Sequence, residues 1–229
     1  MERNWTSRLV VAVVTVLALC GGAQAGLEEG IAAAQRSDRR TALAELLPLA
    51  ERGDATAQYW VGWLYAVLIR PADFEKAVHW YRKSADQGNS LGQGALGMMY
   101  DIGYGVPRDE QQAARWHRKA ADQGHDWSQY HLGLTYLGGK VVPYDVLQAL
   151  QLFRKSADQG NPASQRQLGM MYDIGYGVPR DEQQAYFWLL LSSATGLGKE
   201  DRDRVEAKLT ANQRATAQAE ARSWKPKSP

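Results

Sequence analysis

Four histidines, His79, His117, His125 and His131, are the side chains best suited to acid–base or metal chemistry in this chain. Their spacing supports neither. A helical zinc site needs an H-E-x-x-H string or an equivalent set of thiolates; no such string occurs, and Cys20 is the single cysteine. No G-x-S-x-G, P-loop or paired-carboxylate motif stands in the context its chemistry requires. Gly103-Tyr104-Gly105 lacks the strand-then-helix setting of a nucleotide site and reads as a turn. No catalytic residue, metal ligand or cofactor is expected, and the chain is not expected to be an enzyme. The chemistry that remains is contact chemistry. Eleven Tyr and eight Trp stand against three Phe, and Tyr and Trp serve well on half-exposed binding surfaces.

Those aromatics must be positioned by something, and the pattern that positions them is a repeat. Leu96–Ala113, LGMMYDIGYGVPRDEQQA, returns unchanged 72 positions later at Leu168–Ala185. Gly53, Gly88, Gly124, Gly160 and Gly196 step through the chain at intervals of 35 or 36. Gly62, Gly97, Gly133 and Gly169 do the same, each followed three residues on by Tyr65, Tyr100, Tyr136 or Tyr172. Periods of about 20–50 residues signal stacked repeat units.

Each unit reads as two helices. In the second, Gly88 supplies the left-handed residue that ends one helix and Asn89 caps the next. Gln93, Leu96, Gly97 and Tyr100 then recur at i, i+3, i+4 and i+7, one face of helix A. Glycine inside a helix costs about 1 kcal/mol against alanine, so its return in every unit predicts a neighbouring helix too close for a Cβ. Gly103 to Asp109 forms the turn, and Ala113, Trp116, His117, Ala120 and Ala121 define helix B. His117 shares its station with Tyr81, Phe153 and Leu189, so it reads as a packed residue rather than a ligand.

The linked strings Ala-x-x-Gly, Gln-x-x-Leu-Gly-x-x-Tyr, Gly-x-Gly-Val-Pro-x-Asp and Ala-x-x-Trp resemble the Sel-one-like repeat (SLR), a relative of the tetratricopeptide repeat (TPR). The second unit matches from Ala85 through Trp116 and the fourth through Trp188, and the resemblance spans roughly Thr41 to Trp224. It implies an all-α fold, an α/α superhelical solenoid of stacked helix hairpins, acting as an adaptor or scaffold, with no catalytic residue to carry over. Two units depart from the pattern. The first has Leu68-Ile69-Arg70-Pro71 in place of the glycine turn and is one residue shorter; the third has Val141 at the station of Gly105 and Leu152 at that of Trp116. These changes leave the hairpin geometry of both units open.

Binding is read from where the copies disagree. Opposite the fixed face of helix A, unit one carries Thr56, Tyr59, Trp60 and Trp63, and unit two Leu91, Gly94, Ala95 and Met98. Unit three carries Trp127, Tyr130, His131 and Leu134, and unit four Ala163, Arg166, Gln167 and Met170. By resemblance, helix A lines a concave surface. Tyr59, Trp60, Trp63, Trp127, Tyr130 and His131 are therefore the expected partner-binding residues. For Trp60 and Trp63 an end-of-core role stands open beside it.

The expected organisation is a signal peptide over 1–25, a capping helix pair over 26–52, four repeats over 53–196 (about 50–84, 85–120, 121–156 and 157–192), and capping helices with a frayed tail over 197–229. Arg3 and Arg8, the apolar Leu9–Leu19 and Ala23-Gln24-Ala25 have the order of an export signal cleaved after Ala25. The apolar run is short of the ~20 residues that span a bilayer. A lipid anchor on Cys20 is the rival, disfavoured by Leu19 before it. A net charge of +2 points to neither nucleic acid nor an anionic membrane. The expectation is a periplasmic or secreted scaffold for a protein or peptide partner. Alternatives are an inhibitor or immunity protein, a cell-wall- or antibiotic-directed hydrolase, and a structural envelope spacer.

Overall fold

The computed structural model describes residues 24–69 and 71–228. The expected export signal and Cys20 lie, up to residue 23, outside the described residues; Gln24 and Ala25 open the first helix, which covers 24–35 (α1). No strand occurs among the described residues. The chain forms two compact units that divide at Pro107 and Arg108.

The first unit holds α1, α2 (Arg39–Glu51), α3 (Ala55–Trp63), a π-helical turn (Leu64–Leu68), α4 (Phe74–Asp86) and α5 (Ser90–Ile102). Leu46, Leu49, Val61, Leu64 and Trp80 form its principal apolar cluster. The second unit holds α6 (Glu110–Asp122), α7 (Asp126–Gly138), α8 (Val146–Asp158), α9 (Pro162–Ile174), α10 (Glu182–Ser193), α11 (Lys199–Glu206) and α12 (Ala211–Ser223). Its core gathers Phe153, Leu168, Met171, Tyr186, Trp188, Leu189, Val205 and Ala217. From α2 to α5 and from α6 to α10 each helix packs on the next, and α11 and α12 both lie against α10.

Gly62, Gly133 and Gly169 act as the sequence predicts. A Cβ on Gly62 would lie 2.7 Å from the Tyr81 ring, one on Gly133 2.7 Å from the Phe153 ring, and one on Gly169 2.6 Å from Leu189 Cγ. Each bulky partner sits on helix B of the same hairpin, so helix A closes onto it only where the side chain is absent. Polar ties fix the register. Buried Gln58, Gln93, Gln129 and Gln165 donate to the carbonyls of Ala50, Ala85, Ala121 and Ala157, eight residues back, in the last turn of the preceding helix. These carbonyls are among those a helix end leaves short of partners. Ser84, Ser156 and Ser192 donate from helix B to the first-turn carbonyls of Ala55, Asp126 and Pro162. Arg82, Arg118 and Arg154 reach the hydroxyls of Tyr100, Tyr136 and Tyr172 on the helix that follows.

The two irregular turns close by the same bond as the regular fourth one. Asp73 N–H donates to the Tyr65 carbonyl in the first repeat, Asp145 to Tyr136 in the third and Asp181 to Tyr172 in the fourth. The third repeat stops α7 on Gly139 at φ 64°, the left-handed end that Gly103 and Gly175 provide elsewhere. The first repeat has no glycine there. Its helix instead widens into the π turn, with Ile69 N–H on the Leu64 carbonyl at 2.9 Å.

The C-terminal tail corrects an expectation. Rather than fraying beyond Trp224, it lies back on the second unit. Lys227 N–H donates to the Asp158 carbonyl at 2.8 Å, and its ammonium sits 2.9 Å from the Asp158 carboxylate. A lysine near the end of α8 also suits the negative end of the helix dipole.

Replacing Gly169 by Ala sets a helix-propensity gain of about 1 kcal/mol against an overpacking cost of about 1–3 kcal/mol. Because Leu189 is fully buried and cannot swing away, destabilisation should win, by about 1 kcal/mol or more. Urea unfolding of Gly169→Ala measures this; a variant more stable than the parent would contradict the close approach.

Candidate functional site

The expected binding residues form two aromatic groups, one in each unit. In α3, Tyr59 meets Trp60 edge-on at 5.4 Å, and Trp60 meets Trp63 edge-on at 5.5 Å. All three are half-buried. Trp60 and Trp63 pack on the apolar cluster of the first unit, while Tyr59 lies 5.9 Å from the Tyr81 ring. Burial raises the Tyr59 phenol above its ordinary value. Much of this group is thus spent on closing the first unit, the role left open for the two tryptophans.

The second group starts one residue into α7. Trp127 is 50% exposed. Its ring stands edge-on to Tyr130 at 5.8 Å and tilted to His131 at 5.8 Å, and Tyr130 meets His131 edge-on at 5.4 Å. Below them Tyr130 leans on Phe153 at 5.9 Å, and His131 stacks flat on His117 at 4.8 Å. His117 is 3% exposed, as its shared station with Tyr81 and Phe153 requires. The group thus stands on buried His117 and Phe153, with Trp127 half open to solvent above them.

Its foundation is polar as well as aromatic. The other repeats cap helix A with Asp54, Asn89 or Asn161, but α7 is capped by His125, whose Nδ1 accepts the Ser128 main-chain N–H at 3.3 Å. That nitrogen must carry a lone pair. The Ser128 hydroxyl lies 2.8 Å from the same nitrogen and 3.1 Å from His117 Nδ1. One buried serine therefore bridges two histidine rings from different helices. The capping role was discoverable by aligning His125 with Asn89 and Asn161; the sharing of Ser128 was not, because it joins two helices.

In the fourth repeat the corresponding face is covered from within the chain. Arg166, at the station of Tyr130, donates to Asp201 of α11 at 2.7 Å. Buried Asp173 is paired with Lys208 and Arg204. A separate cavity of about 730 Å³ along α6 carries Arg115, Arg118 and Lys119. Two of these cations are already engaged, Arg118 with the Tyr136 hydroxyl and Lys119 over the Trp116 ring at 4.1 Å.

Within each unit, then, the fold is an all-α series of helix hairpins that carries a group of packed aromatic side chains. Four segments, 55–89, 90–125, 128–161 and 162–197, match the Sel1 repeat family model and together span more than half of the chain. The chain belongs to the Sel1 repeat family. A Sel1 repeat protein from Oxalobacter formigenes is similar over 86% of this chain and 82% of its own, at 26% identity and a TM-score of 0.71. A protective antigen of uropathogenic Escherichia coli strains with an SLR fold is 33% identical over 80% of this chain, with a TM-score of 0.57. The match spans 48%, about half, of that antigen's length. A Sel1 repeat protein from Klebsiella pneumoniae subsp. pneumoniae shares the fold at 23% identity and a TM-score of 0.57, over 83% of this chain and 96% of its own. Comparison with curated proteins gave no match. Sel1 repeat proteins generally act as protein-interaction scaffolds and are typically non-catalytic.

Burial lowers the His125 imidazole below its ordinary value; Asp126 opposes the shift and His117 adds to it. The unfolded chain then binds the proton more readily than the folded one. Stability from this cap is therefore complete above about pH 6.5 and falls as the pH drops through the lowered folded value. Urea unfolding at pH 7.5 and 5 should show His125→Asn losing less stability on acidification than the parent. Equal losses would remove His125 from the pH response.

Proposed function

We propose that this chain is an exported scaffold that captures a partner protein or peptide on the aromatic face of its third repeat. The observation that carries the reading is Trp127, half exposed yet held edge-on by Tyr130 and tilted against His131. An indole presented to solvent by a pre-organised aromatic foundation is a typical interface anchor, since little side-chain freedom remains to be lost on binding. Tyr59, Trp60 and Trp63 extend the capacity for contact in the first unit, where their packing on the end cluster leaves them half-buried. No helix among the described residues is long and apolar enough to cross a membrane. Export rests on the order Arg3, Arg8, Leu9–Leu19 and Ala23-Gln24-Ala25. The protective-antigen character of the E. coli relative agrees with it, an antigen being a protein that a host meets.

The test separates surface from foundation. Trp127→Ala should leave stability within about 0.5 kcal/mol. Tyr130→Ala should cost about 1–3 kcal/mol, because Tyr130 also supports the core through Phe153. Partner capture from a periplasmic extract, followed by titration with the partner identified, should show Trp127→Ala losing about 2 kcal/mol or more, roughly 30-fold in affinity. Unchanged affinity in that variant would refute the assignment.

A further inference from the structure

The tail beyond α12 shows how this fold holds an extended segment. Its seat is the tetrapeptide that ends α8, Ala157-Asp158-Gln159-Gly160. Lys227 N–H donates to the Asp158 carbonyl at 2.8 Å, and its ammonium lies 2.9 Å from the Asp158 carboxylate. Pro226 packs beside Gly160, where a Cβ would meet Pro226 Cγ at 3.4 Å. The seat thus combines an accepting carbonyl near a helix C-terminus, a carboxylate beside it and a glycine face that admits a proline ring. The first two favour a cation, since the C-terminal end of a helix carries partial negative charge.

The same tetrapeptide ends α4 as Ala85-Asp86-Gln87-Gly88 and α6 as Ala121-Asp122-Gln123-Gly124. The backbone repeats with it. Gly124 has φ 90° and its N–H reaches the Ala121 carbonyl at 3.0 Å; Gly160 has φ 99° and reaches Ala157 at 2.9 Å. Asp122 is exposed. Beside the α6 turn lies a cavity of about 460 Å³ whose lining includes Asp122, Gly124 and Gln129, with Lys227 and Ser228 of the tail. Two cations line it, Lys227, which is paired with Asp158, and Lys155 in the last turn of α8.

We propose that the Asp122–Gly124 turn is a docking site for an extended proline–lysine segment of a partner protein, bound as Pro226-Lys227 is bound by Asp158–Gly160. Lysine is specified by the carboxylate and the helix-end carbonyl together, and the proline before it follows the packing of Pro226 beside Gly160. An acidic segment is disfavoured by both. Trp127, Tyr130 and His131 are not among the residues that line this cavity.

The tail's own sequence supplies the probe, a fluorescently labelled peptide Ser-Trp-Lys-Pro-Lys-Ser titrated into the full chain by anisotropy. Saturable binding should weaken at least fivefold in Asp122→Asn and when the second peptide lysine is replaced by glutamate. It should survive in Asp158→Asn, which frees the tail's seat, and in Trp127→Ala, which reports on the aromatic face alone. Circular dichroism should show Asp122→Asn melting with the parent, because Asp122 is exposed. No saturable binding, or binding lost in Asp158→Asn and kept in Asp122→Asn, overturns the proposal. Self-association of the chain that disappears in Asp122→Asn also overturns it, by making the tail of a second copy the occupant.

Discussion

The hairpins depend on a contact that excludes a single carbon atom. Helix A reaches helix B because Gly62, Gly133 and Gly169 face Tyr81, Phe153 and Leu189 at distances that no Cβ tolerates. The bulky partner fills what the glycine vacates, so volume is exchanged across the hairpin rather than lost. Tyr81, Phe153 and Leu189 are all buried there. Once that separation is set, the buried serines of helix B lie within reach of the first carbonyls of helix A. The mid-helix glycine is unfavourable locally and necessary globally, which is why it returns at a fixed station.

Successive helices are then joined by bonds that answer a helix-end problem. Each helix ends with carbonyls that lack intrahelical partners, and a buried glutamine from the next helix supplies a donor in all four repeats. An arginine-to-tyrosine bond adds a second tie in three of them. These residues recur because each serves its neighbour in the same way. That reciprocity made the fold legible: the glycine, glutamine and tyrosine series predict the hairpins, and Asp73, Asp109, Asp145 and Asp181 mark the helix-B starts that the structure shows. Even the turn without glycine preserves its closing bond, by widening one helical turn.

Legibility ended where a residue's partner lies outside the period. Lys227 looks like the end of a frayed tail, yet it binds a residue 69 positions away. Asp201 and Lys208 cover the helix-A side of the fourth repeat through Arg166 and Asp173, though neither belongs to a repeat motif. The tryptophans posed a different difficulty. Trp60 and Trp127 are chemically equivalent in a sequence, and only packing shows the first resting on the end cluster and the second half in solvent. Residue type announces capacity for contact without saying whether the contact is internal.

The candidate site follows from what the framework leaves unassigned. Trp127 occupies a station filled by Thr56, Leu91 and Ala163 in the other copies, so the hairpin places no constraint on that side chain. Tyr130 and His131 replace Gly94 and Ala95 of the second repeat, adding rings where the fold accepts no side chain or a methyl group. These rings do not merely decorate the surface, because His131 stacks on buried His117 and Tyr130 leans on buried Phe153. The variable side of α7 is therefore anchored in buried core residues, and Trp127 packs against the two rings so held. A scaffold needs this combination: stations that hold the backbone by repetition, and free stations beside them where rigid aromatic groups distinguish one copy from the next.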